Sequence, residues 1–371
     1  MPSRPLFLGP QTIRLGFVPQ IDCAPIVVAY EKGIFKKHGL RINLSRELGW
    51  ATIHNKISYA QLDAAQSPAS IAICLGLGLN MMRSGVTVPL VFNLQGNAIT
   101  ISKEIGYKEI GLGEKFNDYL TYKWKKDRPL ILAVPHRLSS QFSMLNSWLS
   151  RNRVTPSRNL EIIWLPSYLM PRHLKAGHID GYCAAEPWNS ESIISNQGWC
   201  PATSADLASH HPESVLMVSE EFGDDDKSRM LATVAALMES CRLCQSPEFR
   251  EELISILARR EYVGSSPAVL ENSLGPVFQS GIGSMNSEDF HIFHGGDTNR
   301  PNIHKASWIL SELRKEGTIK EETCGPLSTI FREDSYIAAE GLLSKPRIKP
   351  TKEIGTEKII RKNRKEQVPT Q

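Results

Sequence analysis

Apolar and polar positions alternate with two different periods along the first hundred residues. Short apolar runs predict strands at residues 13–18, 40–44, 62–65 and 88–92. Helical periodicity predicts helices over residues 26–37 and 52–59, and a further helix from residue 68 onward. Asp22 is expected to cap the first helix, and Gly39 to end it, since glycine tolerates a left-handed backbone. Strands alternating with helices predict a parallel sheet with helices on both faces.

The same alternation begins again after a polar, lysine-rich stretch at residues 103–128. Strands are predicted at residues 130–134, 160–165, 180–185 and 214–218, and helices at 139–151, 169–176, 230–244 and 248–258, with a final amphipathic helix at 305–316. This second series of strands and helices predicts a second α/β domain. Ligands of parallel sheets bind beyond the carboxyl ends of the strands, so the loops at 19–25, 47–52 and 66–70 are candidate ligand loops.

Length and composition narrow the class of protein. A chain of 371 residues is too long for one simple core and suits two domains, or one domain with a large insertion. With 41% apolar and 22% charged residues, it is not a disordered, collagen-like or coiled-coil protein. Its seven scattered cysteines are typical of reduced thiols. Cys241 and Cys244 form a lone C-x-x-C pair, for which core packing is a better interpretation than a metal site.

The sequence carries no P-loop, dinucleotide-binding, nucleophile-elbow or zincin signature. No cofactor and no metal ion are therefore predicted. The N-terminal residues show neither a secretory signal nor a lipobox cysteine, so the sequence as written predicts a cytoplasmic protein. If the start codon is wrongly assigned and hides a leader, the alternative is a periplasmic or membrane-associated protein.

Positive charge is concentrated at the C-terminus. Residues 344–371 hold nine basic and three acidic side chains, a net charge of +6, whereas the rest of the chain sums to −2. The segment has no aromatic residue and no apolar periodicity, so a disordered basic tail is predicted. Such a tail either contacts the phosphates of nucleic acid or anionic lipid, or is a solvated extension without a partner.

Several blocks of sequence resemble one family. They are GFVPQIDCAPIVVAYEKGIFKKHGL (16–40), GWATIHNKI (49–57), LDAAQSP (62–68), NLQGNAITIS (93–102), DGYCAAEPWN (180–189) and HHPESVL (210–216), followed by PNIH (301–304) and Trp308. Together they resemble the nitrate- and bicarbonate-binding proteins of ABC transporters and their cytoplasmic relatives that sense nitrate or nitrite. The resemblance covers about residues 11–330, and the blocks occur in the family's order.

The resemblance implies a type 2 periplasmic-binding-protein fold, in which two doubly wound α/β lobes are joined by two crossing segments. Lobe 1 would comprise residues 11–97 and 205–343, and lobe 2 residues 98–204. A small oxyanion would be held in the cleft between the lobes. Its partner would be an ABC permease or, for a sensor, a regulatory protein.

The resemblance also implies ligand-binding positions. Trp50 matches the family tryptophan, Asn97 the family amide, and Ala185 the glycine that precedes Glu-Pro-Trp-Asn. Gln141 stands where the family has histidine, and Ser214 where it has lysine. Both departures remove potential positive charge, so a different oxyanion and a neutral or amine-bearing ligand stay open beside nitrate.

Glu186 follows Ala185 at an expected lobe crossing. A structural role there is one interpretation; if its side chain faces the cleft, it disfavours anions and favours a cation or an amine. The expected function is reversible solute capture without catalysis, either for ABC-type uptake or for cytoplasmic sensing. The alternative from another class is a cytosolic enzyme of the related thiamine-pyrimidine synthesis type.

Overall fold

The computed structural model describes residues 12–79, 85–106, 128–154, 159–287, 289–323 and 325–344. The strands are β1 (Ile13–Phe17), β2 (Ile42–Arg46), β3 (Ala64–Pro68), β4 (Val86–Gln95), β5 (Asn97–Ser102), β6 (Leu130–Val134), β7 (Leu160–Trp164), β8 (Gly181–Ala185), β9 (Gly198–Thr203), β10 (Pro212–Ser219), β11 (Val277–Gln279), β12 (Ser284–Asn286) and β13 (His291–Ile292).

The helices lie between these strands and after them. They are α1 (Ala24–Glu31), α2 (Ile34–Lys37), α3 (Trp50–Ser58), α4 (Ala69–Gly76), α5 (Ser140–Arg151), α6 (Met170–Lys175), α7 (Trp188–Ile194), α8 (Ser204–Leu207), α9 (Glu220–Asp225), α10 (Lys227–Gln245), α11 (Arg250–Leu257), α12 (Pro267–Leu274), α13 (Ile303–Lys315), α14 (Leu327–Ile330) and α15 (Glu333–Leu343). No helix in the described ranges is both long and apolar enough to cross a bilayer.

Two sheets organise the molecule, and we name the surrounding units lobe 1 and lobe 2. The lobe 1 sheet has six strands in the order β13-β4-β10-β3-β1-β2, and the lobe 2 sheet has five in the order β7-β6-β8-β5-β9. All strands of the lobe 2 sheet fall within residues 97–203, whereas those of the lobe 1 sheet precede and follow that range. The residue-level boundaries given above, 97/98 and 204/205, stay a prediction.

The chain passes between the sheets twice, and the two passages lie side by side. The first joins β4 to β5 through Gly96, and the second leads from α8 to β10. The backbone N–H of Gln95 donates to the carbonyl of His211 at 3.1 Å. Both passages contain left-handed backbone, with φ of 63° at Gln95, 93° at Gly96 and 61° at His210. The turn between the sheets is therefore tight in each passage.

The prediction of parallel sheets is confirmed only in part. β1 pairs in parallel with β2 and β3, and β6 with β7 and β8. β10 is antiparallel to β3 and β4, and β5 is antiparallel to β8 and β9. β5 and β10 are the strands that directly follow the two passages. There the chain enters a sheet without the crossover helix that parallel pairing usually requires.

Three local predictions are wrong. The helix expected over residues 26–37 is interrupted at Gly33, whose φ of 66° is incompatible with a right-handed helix. Asp22 caps no helix, because its carboxylate accepts hydrogen bonds from the side chains of Gln20 and Asn93 instead. Helix α13 is not the last helix, since α14 and α15 follow it. The predicted basic tail lies outside the described residues apart from Ser344.

The apolar interior connects the lobes. One cluster contains Phe17 and Phe92 of lobe 1 together with Met170 and Tyr182 of lobe 2. Cys241 and Cys244 are buried in the same cluster on α10, as their interpretation as core residues expects. Within the described residues, no group of three or more His, Cys, Asp or Glu side chains is placed to hold a metal ion.

Candidate functional site

A cavity of about 270 Å³ lies between the lobes. From lobe 1 it is lined by Val18 and residues 48–52, and from lobe 2 by Pro135, His136 and residues 164–167. Each of these groups of residues lies at the end of β1, β2, β6 or β7 or shortly after it. The cavity therefore lies at the carboxyl ends of parallel strands from both sheets. Open α/β sheets bind their ligands at such an edge. Of the three candidate ligand loops, the one at 47–52 contributes the most lining residues.

Trp50 is the first residue of α3 and forms part of the cavity wall. Its side chain is nearly buried and belongs to an apolar cluster that includes Ile53 of lobe 1 and Leu138 of lobe 2. No side chain caps α3. The first N–H groups of a helix have no partner inside the helix and carry a partial positive charge. Trp50 thus combines a packing role with a place beside donors that face the cleft.

His136 supplies a polar group on the opposite wall. Its Nδ1 accepts a hydrogen bond from the backbone N–H of Leu138 at 3.1 Å, so in the neutral ring the hydrogen is on Nε2. Burial, with a further contribution from the nearby His54, lowers the pKa of His136 below its usual value. The neutral imidazole is therefore favoured, and its Nε2–H is a donor. None of the described residues that line this cavity is lysine or arginine.

A second polar centre lies deeper between the lobes, around the carboxylate of Glu213. Oε2 accepts hydrogen bonds from Asn97 Nδ2 at 2.7 Å and from Ser140 Oγ at 2.5 Å. Oε1 accepts a hydrogen bond from Gln141 Nε2 at 2.8 Å. The same Nε2 also donates to Asn97 Oδ1 at 2.7 Å. The predicted ligand residues Asn97 and Gln141 are therefore close together, and both contact this carboxylate.

His211 completes the contacts of Glu213. Its Nδ1 is 2.9 Å from the carbonyl of Ala208, which can only accept, so this nitrogen carries a hydrogen. Its Nε2 is 3.0 Å from Glu213 Oε2 and 3.4 Å from Asn97 Nδ2, so this ring joins the second passage between the lobes to the carboxylate.

Two of the other three predicted positions adjoin this centre. Ala185 ends β8 and pairs directly with Asn97. Ser214 follows Glu213 in β10, and its buried hydroxyl has no hydrogen-bond partner among the described residues. Glu186 is completely buried and accepts hydrogen bonds from the N–H of Ser190 at 3.1 Å and the hydroxyl of Ser273 at 2.8 Å. Its backbone N–H donates to Gly96, which places it at the crossing. The assignment of these residues to a ligand stays a prediction.

The interior between the lobes is acidic. Asp22, Glu186 and Glu213 are all buried, and no ion pair among the described residues joins any of them to lysine or arginine. The pKa of Asp22 is raised well above its usual value by burial and then by the charge of Glu213. Nδ1 of His291 lies 3.8 Å from Asp22 Oδ1. Burial without a cationic partner favours the protonated, uncharged form of a carboxyl group.

A larger groove of about 900 Å³ lies elsewhere, between α5 and the end of α13. It is lined by polar side chains such as Asn146, Arg151 and Glu312, and it contains none of the predicted ligand residues. Although it is larger, it is a surface groove and does not lie at the strand ends of either sheet. The cavity beside Trp50 is therefore the better candidate site.

Sequence reasoning missed three members of the inner centre, namely Glu213, Ser140 and His211. Glu213 and His211 stand in the block HHPESVL, of which only Ser214 was predicted to contact the ligand. Ser140 adjoins Gln141 at the start of α5. The available signal was Ser214 itself, because replacing the family lysine with serine leaves the adjacent carboxylate of Glu213 without that positive charge.

Comparisons with known proteins agree on one family. Residues 8–258 match the model of the NMT1-like family. The nitrate import ATP-binding protein NrtC of Synechocystis sp. PCC 6803 is 36% identical over 312 residues, which cover 83% of this chain and 46% of that protein. This chain thus spans about half the length of that relative. The nitrate/nitrite binding protein NrtA of Synechococcus elongatus is 24% identical, over 84% of this chain and 73% of that protein.

A solved structure has the same fold. The crystal structure of the periplasmic nitrate-binding protein NrtA from Synechocystis PCC 6803 superposes with a TM-score of 0.82 at 21% identity, covering 90% of this chain and 89% of that chain. The expected periplasmic-binding-protein fold is thereby confirmed, as is the resemblance to nitrate- and bicarbonate-binding proteins. With more than half of its residues matched by the family model, the chain belongs to the NMT1-like family.

Proposed function

We propose that the chain is a solute-binding module of ABC-type import that captures a small oxyanion of the nitrate, nitrite or bicarbonate class. The observation that carries the proposal is the cavity beside Trp50, which both lobes line. The names of the relatives support the ligand class, since NrtA is called a nitrate/nitrite binding protein. All of these names describe transport or binding proteins, so they do not favour the alternative, an enzyme of thiamine-pyrimidine synthesis.

Uncharged donors would hold the ligand. Trp50 and the N-terminus of α3 line the cavity from lobe 1 and His136 lines it from lobe 2, so the indole N–H, the first helix N–H groups and Nε2–H are the candidate donors. A ligand that contacts both lobes stabilises their closed arrangement, and closure is the signal passed to a partner. Because none of the described lining residues is lysine or arginine, we expect weaker binding than in a site with a cation.

We favour sensing over shuttling of the solute. The chain matches about half of an ATP-binding protein, yet carries no P-loop, and nearly the same length of chain matches a solute-binding protein. The matched half of NrtC is therefore the one that resembles a binding protein. A module of this kind would respond to solute on the cytoplasmic side and act on the ATP-binding component. Delivery of solute to a permease from the periplasm is the alternative, and no finding supports a nucleic-acid partner.

Replacing Trp50 with phenylalanine tests the ligand site. Phenylalanine keeps most of the buried ring contacts but removes the indole N–H, so oxyanion affinity should fall at least tenfold, as expected for one hydrogen bond to a charged ligand, ~1.5–3 kcal/mol. The measurement is thermal unfolding of wild type and variant with nitrate, nitrite and bicarbonate. A ligand at one hundred times its dissociation constant adds about 2.7 kcal/mol of stability.

Trp199→Phe is the matched control. Trp199 is also buried, but its indole N–H donates to the carbonyl of Ile105 and it does not line the cavity. Its loss should leave oxyanion affinity unchanged. Equal affinities of wild type and Trp50→Phe would remove Trp50 from the site. If none of the three oxyanions stabilises the wild-type protein, the proposed ligand class is wrong.

A further inference from the structure

Glu213 lies where the lobe boundary meets the start of a long helix. Helix α5 has twelve residues, and the side chains of its first two, Ser140 and Gln141, both donate to the Glu213 carboxylate. The residue before the helix, Ser139, provides no side-chain cap. A helix N-terminus attracts negative charge, and here the charge comes from β10 of the other lobe.

The donors around Glu213 converge from three separate parts of the chain. Asn97 belongs to the first passage between the lobes, Ser140 and Gln141 to α5, and His211 to the second passage. All of them are buried. Several donors from different elements converging on one pair of oxygens, near a helix N-terminus, form the arrangement that binds a free oxyanion in proteins.

We propose that the Glu213 carboxylate is an internal anion, which occupies an oxyanion site at the lobe boundary and excludes free anions from it. The inference rests on the proposed function for the ligand class and deepens it. It accounts for the two departures from the family together, since the lysine is replaced by Ser214 and Gln141, which replaces the histidine, donates to the protein's own carboxylate. The ligand of the wild-type protein then binds in the cavity beside Trp50.

The chemistry of the vacated site follows from its donors. Without the Glu213 side chain, the amide of Asn97 and the hydroxyl of Ser140 would lose the acceptor that they share, and Gln141 Nε2 would keep only Asn97 Oδ1. Buried donors without acceptors are destabilising, and a small planar anion with one charge would satisfy them. Formate reproduces the two oxygens of the missing carboxylate, and nitrate offers a similar planar set.

The experiment is anion rescue of Glu213→Ala. We expect this variant to unfold at a lower temperature than wild type, and formate to raise its melting temperature by about 2–4 °C relative to chloride at equal ionic strength. The wild-type protein should show no such response to formate. Glu191→Ala is the matched control, because Glu191 is a half-buried glutamate on α7 outside the centre. It should not respond to formate.

Glu213→Gln separates loss of charge from loss of volume. Its amide still fills the space between the donors, so formate should not stabilise it. If Glu213→Ala does not fold in chloride, the test is refolding from urea, and recovery in formate but not in chloride supports the proposal. Equal responses of wild type and Glu213→Ala, or no response of Glu213→Ala to any anion, would overturn it. Neither result bears on Trp50, whose binding test uses the protein with Glu213 intact.

Discussion

Replacing Gly96 with alanine should lower the free energy of unfolding by about 3 kcal/mol or more, from backbone strain and overpacking together. Gly96 has a φ of 93°, in the region that residues with a Cβ avoid. A Cβ at this position would lie 2.2 Å from Cε1 and 2.5 Å from Nδ1 of the His291 ring. Contacts this short cannot exist, so either the ring or the first passage between the lobes must move.

The His291 ring has little freedom to move. It is buried, stacks on Phe293 with centroids 5.7 Å apart, and contacts Phe290 with centroids 5.5 Å apart. Neither ring nitrogen has a hydrogen-bond partner among the residues that the structure describes, and burial lowers the pKa of His291 to about 3. The imidazole is therefore neutral and packs as an aromatic ring, with Gly96 against its edge.

Urea unfolding followed by circular dichroism measures the effect, and Gly39→Ala is the matched control. Gly39 has a φ of 74° but nothing within 4 Å of its would-be Cβ, so its substitution costs the backbone strain alone, ~1–2 kcal/mol. The difference between the two variants isolates the contact with His291. Equal losses of stability would contradict close packing of the ring against the passage between the lobes.

The local pattern of apolar and polar residues was sufficient to predict most of the strands and helices. The apolar run at 130–134 is the whole of β6, and the amphipathic stretch at 139–151 agrees with α5 apart from its first residue. These elements are set by periodicity and burial over adjacent positions, which a single sequence displays. The break at Gly33 was missed because glycine within a helical pattern has two readings, a tolerated helix residue or a left-handed interruption.

The candidate site was only half predictable, because its contacts join distant parts of the chain. Trp50, Asn97 and Gln141 were found as family positions, and the structure places the last two against one carboxylate. That carboxylate belongs to Glu213, which is 116 residues from Asn97. No local pattern links two such residues. The position of Glu213 follows from the pairing of β10 with β3 and β4, which is a property of the tertiary fold.

The burial of Glu186 should make the stability of the protein depend on pH. Burial raises the pKa of this carboxyl group from 4.5 to about 7, although hydrogen bonds from Ser273 and Ser190 act in the opposite direction. A raised pKa means that the folded state binds the proton more tightly than the unfolded state does. The resulting stabilisation is complete below about pH 4.5 and is lost as the pH rises through 7, by about 3 kcal/mol in total.

Glu186→Gln should remove this contribution. Glutamine resembles the protonated side chain, and its oxygen can accept the same hydrogen bonds from Ser190 and Ser273. Relative to wild type, the variant should therefore gain about 3 kcal/mol of stability between pH 5 and pH 8, with nearly all of the gain between pH 5 and 7.5. Urea unfolding at several pH values measures it, with Glu251→Gln, on an exposed face of α11, as the control. A difference between wild type and Glu186→Gln that does not change with pH would mean that folding does not raise the pKa of Glu186.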